Sequence, residues 1–324
     1  MIDAAIIGLG WWGRRHVDAV RGAGAGLRYI LGVTHEPDAI ADFAAERQLP
    51  IASDYQDALA DPAVRAVVLV TPHSLHPAQI EAAAAHAKHV FCEKPFALDA
   101  VDAARAVAAC RDANVVLGVG HDWRYRPALV EMKRIIEAGD LGTVMQVEAN
   151  YSHDLLADVA PGAWRADAAE APAGGMTGMG VHMTDWFIAL LGEVREVHAR
   201  MADRVLGRGS GDTIGVTLEF ANGALGYFGT TMMTAYLWHI RVLGSNGTIE
   251  ARSENELVIH MRGRAPETRI LEAVDAVRAG IEAFAETIET SAVYPIPDDQ
   301  IIHNVAVLQA IIRSAATRMP EVVG

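Results

Sequence analysis

The chain has 324 residues, a length that suits two domains better than one. Its 27 basic and 41 acidic residues give a net charge of −14, which argues against nucleic acid or an anionic membrane surface as the main partner. The longest apolar runs are only strand-length, so no membrane-spanning segment is expected. Cys92 and Cys110 fit no metal or redox spacing, and no signal-like segment opens the chain. These features predict a soluble, cytoplasmic protein.

A glycine-rich turn near the N-terminus follows a predicted strand over residues 3–9 and opens a helix over about 14–21. Its sequence is Gly8-Leu9-Gly10-Trp11-Trp12-Gly13. A G-x-G-x-x-G run is weak by itself, but the strand–turn–helix context is that of a dinucleotide-binding loop. In such a loop Gly8 allows the tight turn, Gly10 lets the backbone approach the pyrophosphate, and Gly13 permits close helix–strand packing. The helix N-terminus offers N–H groups to the phosphates. We therefore predict that these three glycines, with Trp11 and Trp12, contact the cofactor.

A second strand, over residues 27–33, ends on Thr34-His35-Glu36. An acidic residue at this place normally holds the ribose hydroxyls of NAD. Here Thr34 and His35 occupy it and could accept the 2′-phosphate of NADP, whereas Glu36 could still reach the ribose. The choice between NAD and NADP stays open, with the sequence favouring NADP slightly.

Strands and helices then alternate as far as Gly120. Helices are predicted over 38–48, 54–60, 77–87 and 99–113, and strands over 66–70, 90–92 and 115–119. This alternation predicts a parallel sheet with right-handed crossovers. Ligands bind outside the carboxyl ends of such strands, where this sequence carries several polar residues and a proline. They are Thr71, Pro72, His76, Glu93 and Lys94, and we predict that they contact the cofactor.

The pattern changes after residue 120. A helix over 127–138 is followed by strands over 143–151, 194–202, 212–221, 224–232, 238–243 and 248–251, and by helices over 174–191, 273–290 and 298–317. Asn222-Gly223, between two of the strands, is a strong hairpin signal.

The predicted fold class is therefore α/β, with two domains. Residues 1–120 form a Rossmann domain with a doubly wound parallel sheet that binds the dinucleotide. Residues 121–324 form an α+β domain with a large, mostly antiparallel open sheet, which binds the substrate and forms the oligomer contacts. Because open sheets seldom leave an apolar face bare, we expect a homo-oligomer, a dimer or a tetramer.

Five motifs stand in a fixed order along nearly the whole chain. They are Gly8-x-Gly10-x-x-Gly13, Thr71-Pro72…His76, Lys88-His89-Val90…Glu93-Lys94-Pro95, Trp164-Arg165 and Gly174-Gly175…Gly180-x-His182-x-x-Asp185. Together they resemble the Gfo/Idh/MocA family of NAD(P)-dependent oxidoreductases. The resemblance implies hydride transfer between a nicotinamide cofactor and a sugar, a cyclitol or a related hydroxy or carbonyl compound. It also implies that Lys94 lies near the nicotinamide and the reacting oxygen, and that His182 donates or accepts a proton.

One position departs from the family pattern. Four residues before His182, where the family has an aspartate, this chain has Gly178. On one continuous α-helix Gly178, His182 and Asp185 would share a face, so a carboxylate at the first position would be able to orient the histidine or hold a substrate hydroxyl. Without it, three alternatives stay open: Lys94 and His182 suffice for catalysis, another group substitutes for the carboxylate, or catalysis is impaired. The rival interpretation is a cofactor-binding regulator or sensor that has lost catalysis.

Four further side chains stand on segments expected to border the substrate. They are His121, His153, Arg165 and Asp185. In an acidic protein, histidines and an arginine at one site favour a small substrate with several hydroxyls or a carboxylate. Asp185 equally suits a structural bond, and Arg124 and Arg126 are expected in structural ion pairs. The histidines show no ligand spacing, so no metal is expected.

Overall fold

The computed structural model describes residues 1–22, 24–155, 157–160 and 162–324. They form two compact units, which are Met1–Asp122 with Asp275–Ile302 and Trp123–Val274 with His303–Gly324. The predicted division into 1–120 and 121–324 stays a prediction as regards function. The first unit nevertheless includes residues 275–302, which the sequence analysis assigned to the C-terminal domain.

The first unit is built on a parallel sheet. Its elements are β1 (Ile2–Ile7), α1 (Trp11–Ala19), β2 (Leu27–Val33), α2 (Ala41–Arg47), β3 (Ile51–Ala52), α3 (Tyr55–Ala60), β4 (Ala66–Leu69), α4 (His76–Ala85), β5 (His89–Cys92), α5 (Ala100–Asp112) and β6 (Leu117–Val119). The strand order is β3-β2-β1-β4-β5-β6, with all neighbours parallel. The order reverses between β1 and β4, as in a doubly wound dinucleotide-binding sheet, and confirms the predicted fold class.

The sheet of the first unit is covered on both faces. Every residue of β4 is fully buried, as expected for a central strand of a parallel sheet with helices on both sides. One covering helix is α8 (Ala276–Thr290), whose Phe284 ring lies 5.6 Å from Phe91 of β5. Asp275 caps this helix and also accepts a 2.6 Å bond from Arg15 of α1. Burial of its apolar face is the physical reason that α8 returns to the first unit.

The second unit contains a mixed but mainly antiparallel sheet. Its elements are α6 (Pro127–Glu137), β7 (Val144–Ser152), a π-helix (Met176–Gly180), α7 (Val181–Leu191), β8 (Val194–Ala202), β9 (Thr213–Phe220), β10 (Leu225–Thr231), β11 (Leu237–Gly244), β12 (Gly247–Ala251), β13 (Glu256–Met261), β14 (Glu267–Ile270), α9 (Asp298–Thr317) and β15 (Glu321–Val322). α9 belongs to this unit from His303 onward, and its residues 298–302 belong to the first unit. The order is β14-β13-β12-β11-β7-β10-β9-β8-β15, and among the described pairs of this sheet only β7–β10 is parallel. The predicted large, mostly antiparallel sheet is confirmed.

The predicted hairpin joins β9 to β10. Gly223 has a φ of 85°, and the side-chain oxygen of Asn222 accepts the N–H of Ala224 at 3.0 Å. Burial alternates along both strands, so one face of the sheet is packed and the other is exposed. Leu225 and Tyr227 on the exposed face are 56% and 49% accessible. No helix in the described part of the chain has the length and apolar character needed to cross a bilayer.

The glycine-rich segment before His182 differs from the predicted single helix over 174–191. Residues Met176–Gly180 form a π-helix, and α7 starts only at Val181. A π-helix has a wider turn than an α-helix, so the assumed i, i+4 alignment of Gly178 with His182 does not apply. Close packing explains part of the glycine content, since a Cβ at Gly175 would overlap the hydroxyl of Thr230.

Candidate active site

The glycine loop after β1 has the shape of a phosphate cradle. Gly8 has a φ of 96°, and a Cβ there would overlap the carbonyl of Val70. A Cβ on Gly13 would overlap the carbonyl oxygen of Gly8. Gly10 differs, because no described atom lies within 4 Å of the place that its Cβ would take. α1 begins directly after Gly10, and a helix N-terminus attracts anions. The loop therefore fits the pyrophosphate of a dinucleotide.

The two tryptophans of this loop differ in their exposure to solvent. Trp11 is 53% exposed, whereas Trp12 is half-buried. Their rings meet edge to face at 5.0 Å, and Trp12 also meets the ring of His16 at 6.0 Å. Trp12 therefore packs inward along α1, and Trp11 remains accessible beside the loop.

The turn after β2 carries the residues predicted to choose between NAD and NADP. The hydroxyl of Thr34 accepts the N–H of Glu36 at 3.2 Å. Thr34 is half-buried, while His35 and Glu36 are exposed. The hydrogen bond holds Thr34 at the strand end and leaves the two following side chains accessible to solvent.

The loop after β4 is tied to the loop after β5 by His76. This residue is fully buried, with Nδ1 3.0 Å from the carbonyl oxygen of Pro95 and Nε2 3.1 Å from that of Thr71. Burial lowers the pKa of His76, although both carbonyls act in the opposite direction. The Thr71 hydroxyl is also engaged, donating to Gln79 at 2.5 Å, and Pro72 beside it is half-buried. The contact of Thr71, Pro72 and His76 with a cofactor stays a prediction. The hydrogen bonds of His76 connect the loop after β4 to the loop after β5.

Glu93 presents its carboxylate inward, towards α1. Oε1 lies 2.8 Å from Nε2 of His16, and Oε2 accepts the backbone N–H of Lys94 at 3.2 Å. The residue is 5% exposed, and a Cβ on Gly120 would come within 2.7 Å of its Cδ. The glutamate predicted to contact the cofactor is thus enclosed by protein groups.

The pKa of Glu93 reflects these opposing influences. Burial raises the pKa, but the hydrogen bond from His16 and the nearby charge of Lys94 outweigh it and hold the pKa below its ordinary value. His16 was not among the residues predicted for the site. A titratable side chain on the buried face of α1, between Gly13 and Val17, was the available signal.

Lys94 and His121 follow neighbouring strands of the parallel sheet. The ladder between β4 and β5 closes with the bond from Glu93 N to Leu69 O at 2.9 Å, and Lys94 comes next. His121 follows β6, and its N–H bonds to Val119 O at 2.9 Å. Lys94 is partly exposed and His121 is buried. Both predicted residues thus lie at the carboxyl edge of the sheet.

His182 belongs to an aromatic cluster in the second unit. Its imidazole is stacked on the indole of Trp123, with ring centres 5.1 Å apart and planes within 10°. Tyr151 meets the imidazole edge-on at 6.3 Å, and the Arg126 guanidinium lies 4.8 Å from the Trp123 ring centre. This packing fixes the orientation of the His182 ring. Trp123 and Tyr151 received no role in the sequence analysis.

Asp185 is held by Arg124 in a buried ion pair. Nε and Nη2 of Arg124 reach the two carboxylate oxygens at 2.7 and 2.8 Å. Asp185 is 1% exposed, so this paired, bidentate geometry accounts for its burial. The structural ion pair expected of Arg124 is confirmed, as is that of Arg126 with Glu254 at 3.3 Å. Asp185 was predicted to contact the substrate, but both of its carboxylate oxygens already accept hydrogen bonds from Arg124.

His153 and Arg165 also lie in the second unit. The Nδ1 atom of His153 accepts the N–H of Leu155 at 3.2 Å, and its ring lies 5.0 Å from Tyr151. Tyr151 thereby joins His153 to His182 in one cluster. The guanidinium of Arg165 stacks over Trp164 at 4.0 Å. Within the described ranges, no three His, Cys, Asp or Glu side chains are grouped as a metal ion would require.

Comparison with known proteins gives concordant matches. The model described as "Oxidoreductase family, NAD-binding Rossmann fold" matches residues 2–121, and "GFO/IDH/MocA C-terminal domain" matches 129–250. The uncharacterized oxidoreductase YrbE of Bacillus subtilis is 29% identical over 98% of this chain and 96% of its own length. D-xylose 1-dehydrogenase (NADP(+)) 2 of Haloferax volcanii is 28% identical over 91% and 95%. A structure of levoglucosan dehydrogenase with NADH and levoglucosan shares the fold, with a TM-score of 0.89, 23% identity and 99% coverage of both chains.

Proposed function

Because the chain belongs to the Gfo/Idh/MocA oxidoreductase family, we propose that it transfers a hydride between a nicotinamide dinucleotide and a sugar, a cyclitol or a related hydroxy or carbonyl compound. The observation that carries the proposal is the loop at residues 8–13, where the open position of Gly10 lies between two glycines that admit no side chain. The nicotinamide, when bound, supplies the hydride donor or acceptor. The protein supplies binding, orientation and proton handling.

Proton handling is assigned to Lys94 and His182. Oxidation of an alcohol carbon requires a positioned base to take the hydroxyl proton, and reduction requires the reverse. The family resemblance supports both residues. Lys94 is further supported by its place after β5, and His182 by the stacking that orients its ring. Gly178 provides no carboxylate, so proton handling is assigned to Lys94 and His182 alone.

Substrate contacts are assigned to His121, His153 and Arg165. They suit a small polyhydroxylated or carboxylated molecule, and the relative from Haloferax volcanii is named for a sugar, D-xylose. Asp185 is assigned to positioning, because Arg124 binds both of its carboxylate oxygens.

The cofactor proposal is that NADP is at least accepted beside NAD. Thr34 and His35 stand where NAD-specific sheets carry an acid, and neither repels a phosphate as a carboxylate would. The Haloferax relative is named for NADP(+).

We also propose a homo-oligomer, supported by the exposed Leu225 and Tyr227 on the uncovered sheet face. A cytoplasmic location is supported by two cysteines that remain free thiols.

The test is a dehydrogenase assay across sugars, sugar acids, inositols and cyclic diols with both cofactors. We expect turnover, and we expect Lys94→Ala or His182→Ala to reduce it roughly 10²–10⁴-fold, the range for a positioned acid or base. Cofactor affinity should change far less, because the glycine loop binds the pyrophosphate. Lys133→Ala, which removes only a surface pair with Glu137, is the matched control.

Two results would change the assignment. Wild-type protein that binds a dinucleotide but turns over no compound would favour the regulator or sensor. Wild-type rates in Lys94→Ala would remove that residue from the chemistry. Gly178→Asp separates the remaining cases, because higher activity shows that a helpful carboxylate is missing, and lower activity shows that the substrate uses the space.

A further inference from the structure

The buried carboxylate of Glu93 connects the dinucleotide loop to the turn that carries Lys94. His16 approaches it from α1, the helix that begins at this loop. On its other oxygen it accepts the backbone N–H of Lys94. Gly120 closes the remaining side, since even a Cβ there would contact the carboxyl group. One side chain thus joins the phosphate-binding helix to the backbone of the residue assigned to proton handling.

Stability alone is a weak reason for such a pair. Taking a carboxylate out of water costs several kcal/mol, and well-packed apolar side chains are often as stable as a buried pair. A buried pair does, however, define one arrangement of the elements that it joins. Its place directly before Lys94 makes that arrangement relevant to the reaction.

The turn at Lys94 is held on both sides. On the N-terminal side, Glu93 accepts the N–H of Lys94 at 3.2 Å. On the C-terminal side, the carbonyl of Pro95 is bound by His76 at 3.0 Å. His16 differs from His76 because its bond leads to the cofactor helix. The backbone of Lys94 is therefore connected to the glycine loop through Glu93 and His16.

We propose that His16 is a positioning residue that acts through Glu93 to hold the backbone of Lys94 in register with the dinucleotide loop. The inference rests on the proposed function, in which Lys94 handles the proton. Because Nδ1 of His16 has no hydrogen-bond partner among the described residues, the working bond of the ring is the one from Nε2 to Glu93. A glutamine amide of similar reach is able to replace that single donor, and a methionine is not.

The experiment compares His16→Met with His16→Gln in the full-length protein. A displacement of about 1 Å is able to cost on the order of 10²-fold in rate. We expect His16→Met to lower kcat about 10- to 100-fold, with KM and dinucleotide Kd changed less than about threefold, and His16→Gln to recover most of kcat. His86→Met, at an exposed histidine of the first unit, is the matched control and should match the wild type.

A double-mutant cycle with Lys94→Ala tests whether the effect passes through Lys94. If it does, adding His16→Met to Lys94→Ala lowers kcat by less than about threefold more. Independent, multiplying losses would overturn the proposal. So would a loss in His16→Met that glutamine fails to recover, or a kcat equal to the wild type.

A second readout needs no turnover and separates this inference from the proposed function. The chain has three lysines, Lys88, Lys94 and Lys133, so reductive methylation followed by mass spectrometry resolves each one. We expect Lys94 to react at least threefold faster in His16→Met, and at the wild-type rate in His16→Gln, with Lys133 as reference. Unchanged labelling of Lys94 overturns the positioning role even if the enzyme is active. Absent wild-type turnover overturns the proposed function while the labelling still decides the position of Lys94.

Discussion

Replacement of Gly10 by valine separates the binding of a dinucleotide from the stability of the fold. The backbone at Gly10 has φ −62° and ψ −173°, an extended conformation open to any L-residue. No described atom lies within 4 Å of the new Cβ, so no protein group has to move. Loss of a glycine restricts the unfolded chain by about 0.4–1 kcal/mol, and valine is a poorer N-cap by about the same amount. We therefore expect the free energy of unfolding to stay within about 1 kcal/mol of the wild type.

Cofactor affinity should respond differently. The valine side chain enters the space assigned to the pyrophosphate, and we expect Kd for NADH and NADPH to rise tenfold or more, about 1.4 kcal/mol. Titration of the reduced cofactors by fluorescence gives Kd, and thermal denaturation gives stability. Gly10→Ala should give a smaller loss of affinity. Gly13→Ala should lower both the cofactor affinity and the thermal stability, because its Cβ would overlap the carbonyl of Gly8.

Unchanged Kd in a folded Gly10→Val protein would refute the assignment of this loop to the pyrophosphate. A large drop in the unfolding temperature would refute the argument that the position is open.

Three further changes test other contacts. Asp185→Asn leaves the Arg124 guanidinium buried without its counter-charge and should lower the unfolding free energy by about 3–5 kcal/mol in urea titrations; a loss below about 1 kcal/mol contradicts this. Because burial holds the pKa of His76 below its ordinary 6.5, the unfolded chain takes up a proton that the folded protein refuses. Stability should therefore fall as the pH drops below about 6.5, less steeply in His76→Gln, and a rise would show that the two carbonyl acceptors outweigh burial. His35→Asp should shift cofactor preference towards NAD by repelling the 2′-phosphate; a wild type that binds NAD alone would assign that role to Glu36.

Features that depend on neighbouring residues could be predicted from the sequence. The strand over 27–33 and the helix over 298–317 have the predicted bounds, because hydrophobic periodicity is local. The short strands β13, β14 and β15 were missed. β14 and β15 are the two edge strands of the sheet, and an edge strand carries a weak pattern of its own. β15 also pairs with β8, which lies far earlier in the chain.

The glycine-rich segment before His182 shows where local reasoning fails. The spacing of His182 and Asp185 suits a helix, and α7 does contain both. The preceding turn is a π-helix, with Gly175 packed against Thr230, a residue of β10 far along the chain. The alignment inferred for Gly178 therefore depended on packing that residue spacing does not encode.

By itself the sequence determined the dinucleotide loop, because the turn at Gly8 and the close approach at Gly13 depend on backbone geometry within a few residues. Only the tertiary structure decided which carboxylates are available to a ligand. Glu93 is bound by His16 across 77 positions and Asp185 by Arg124 across 61. Both acids were predicted as ligand contacts because they belong to the motifs themselves, Glu93 directly before Lys94 and Asp185 three residues after His182. Their partners were set by burial, since a carboxylate removed from water must be paired with whichever donor the packed fold brings to it.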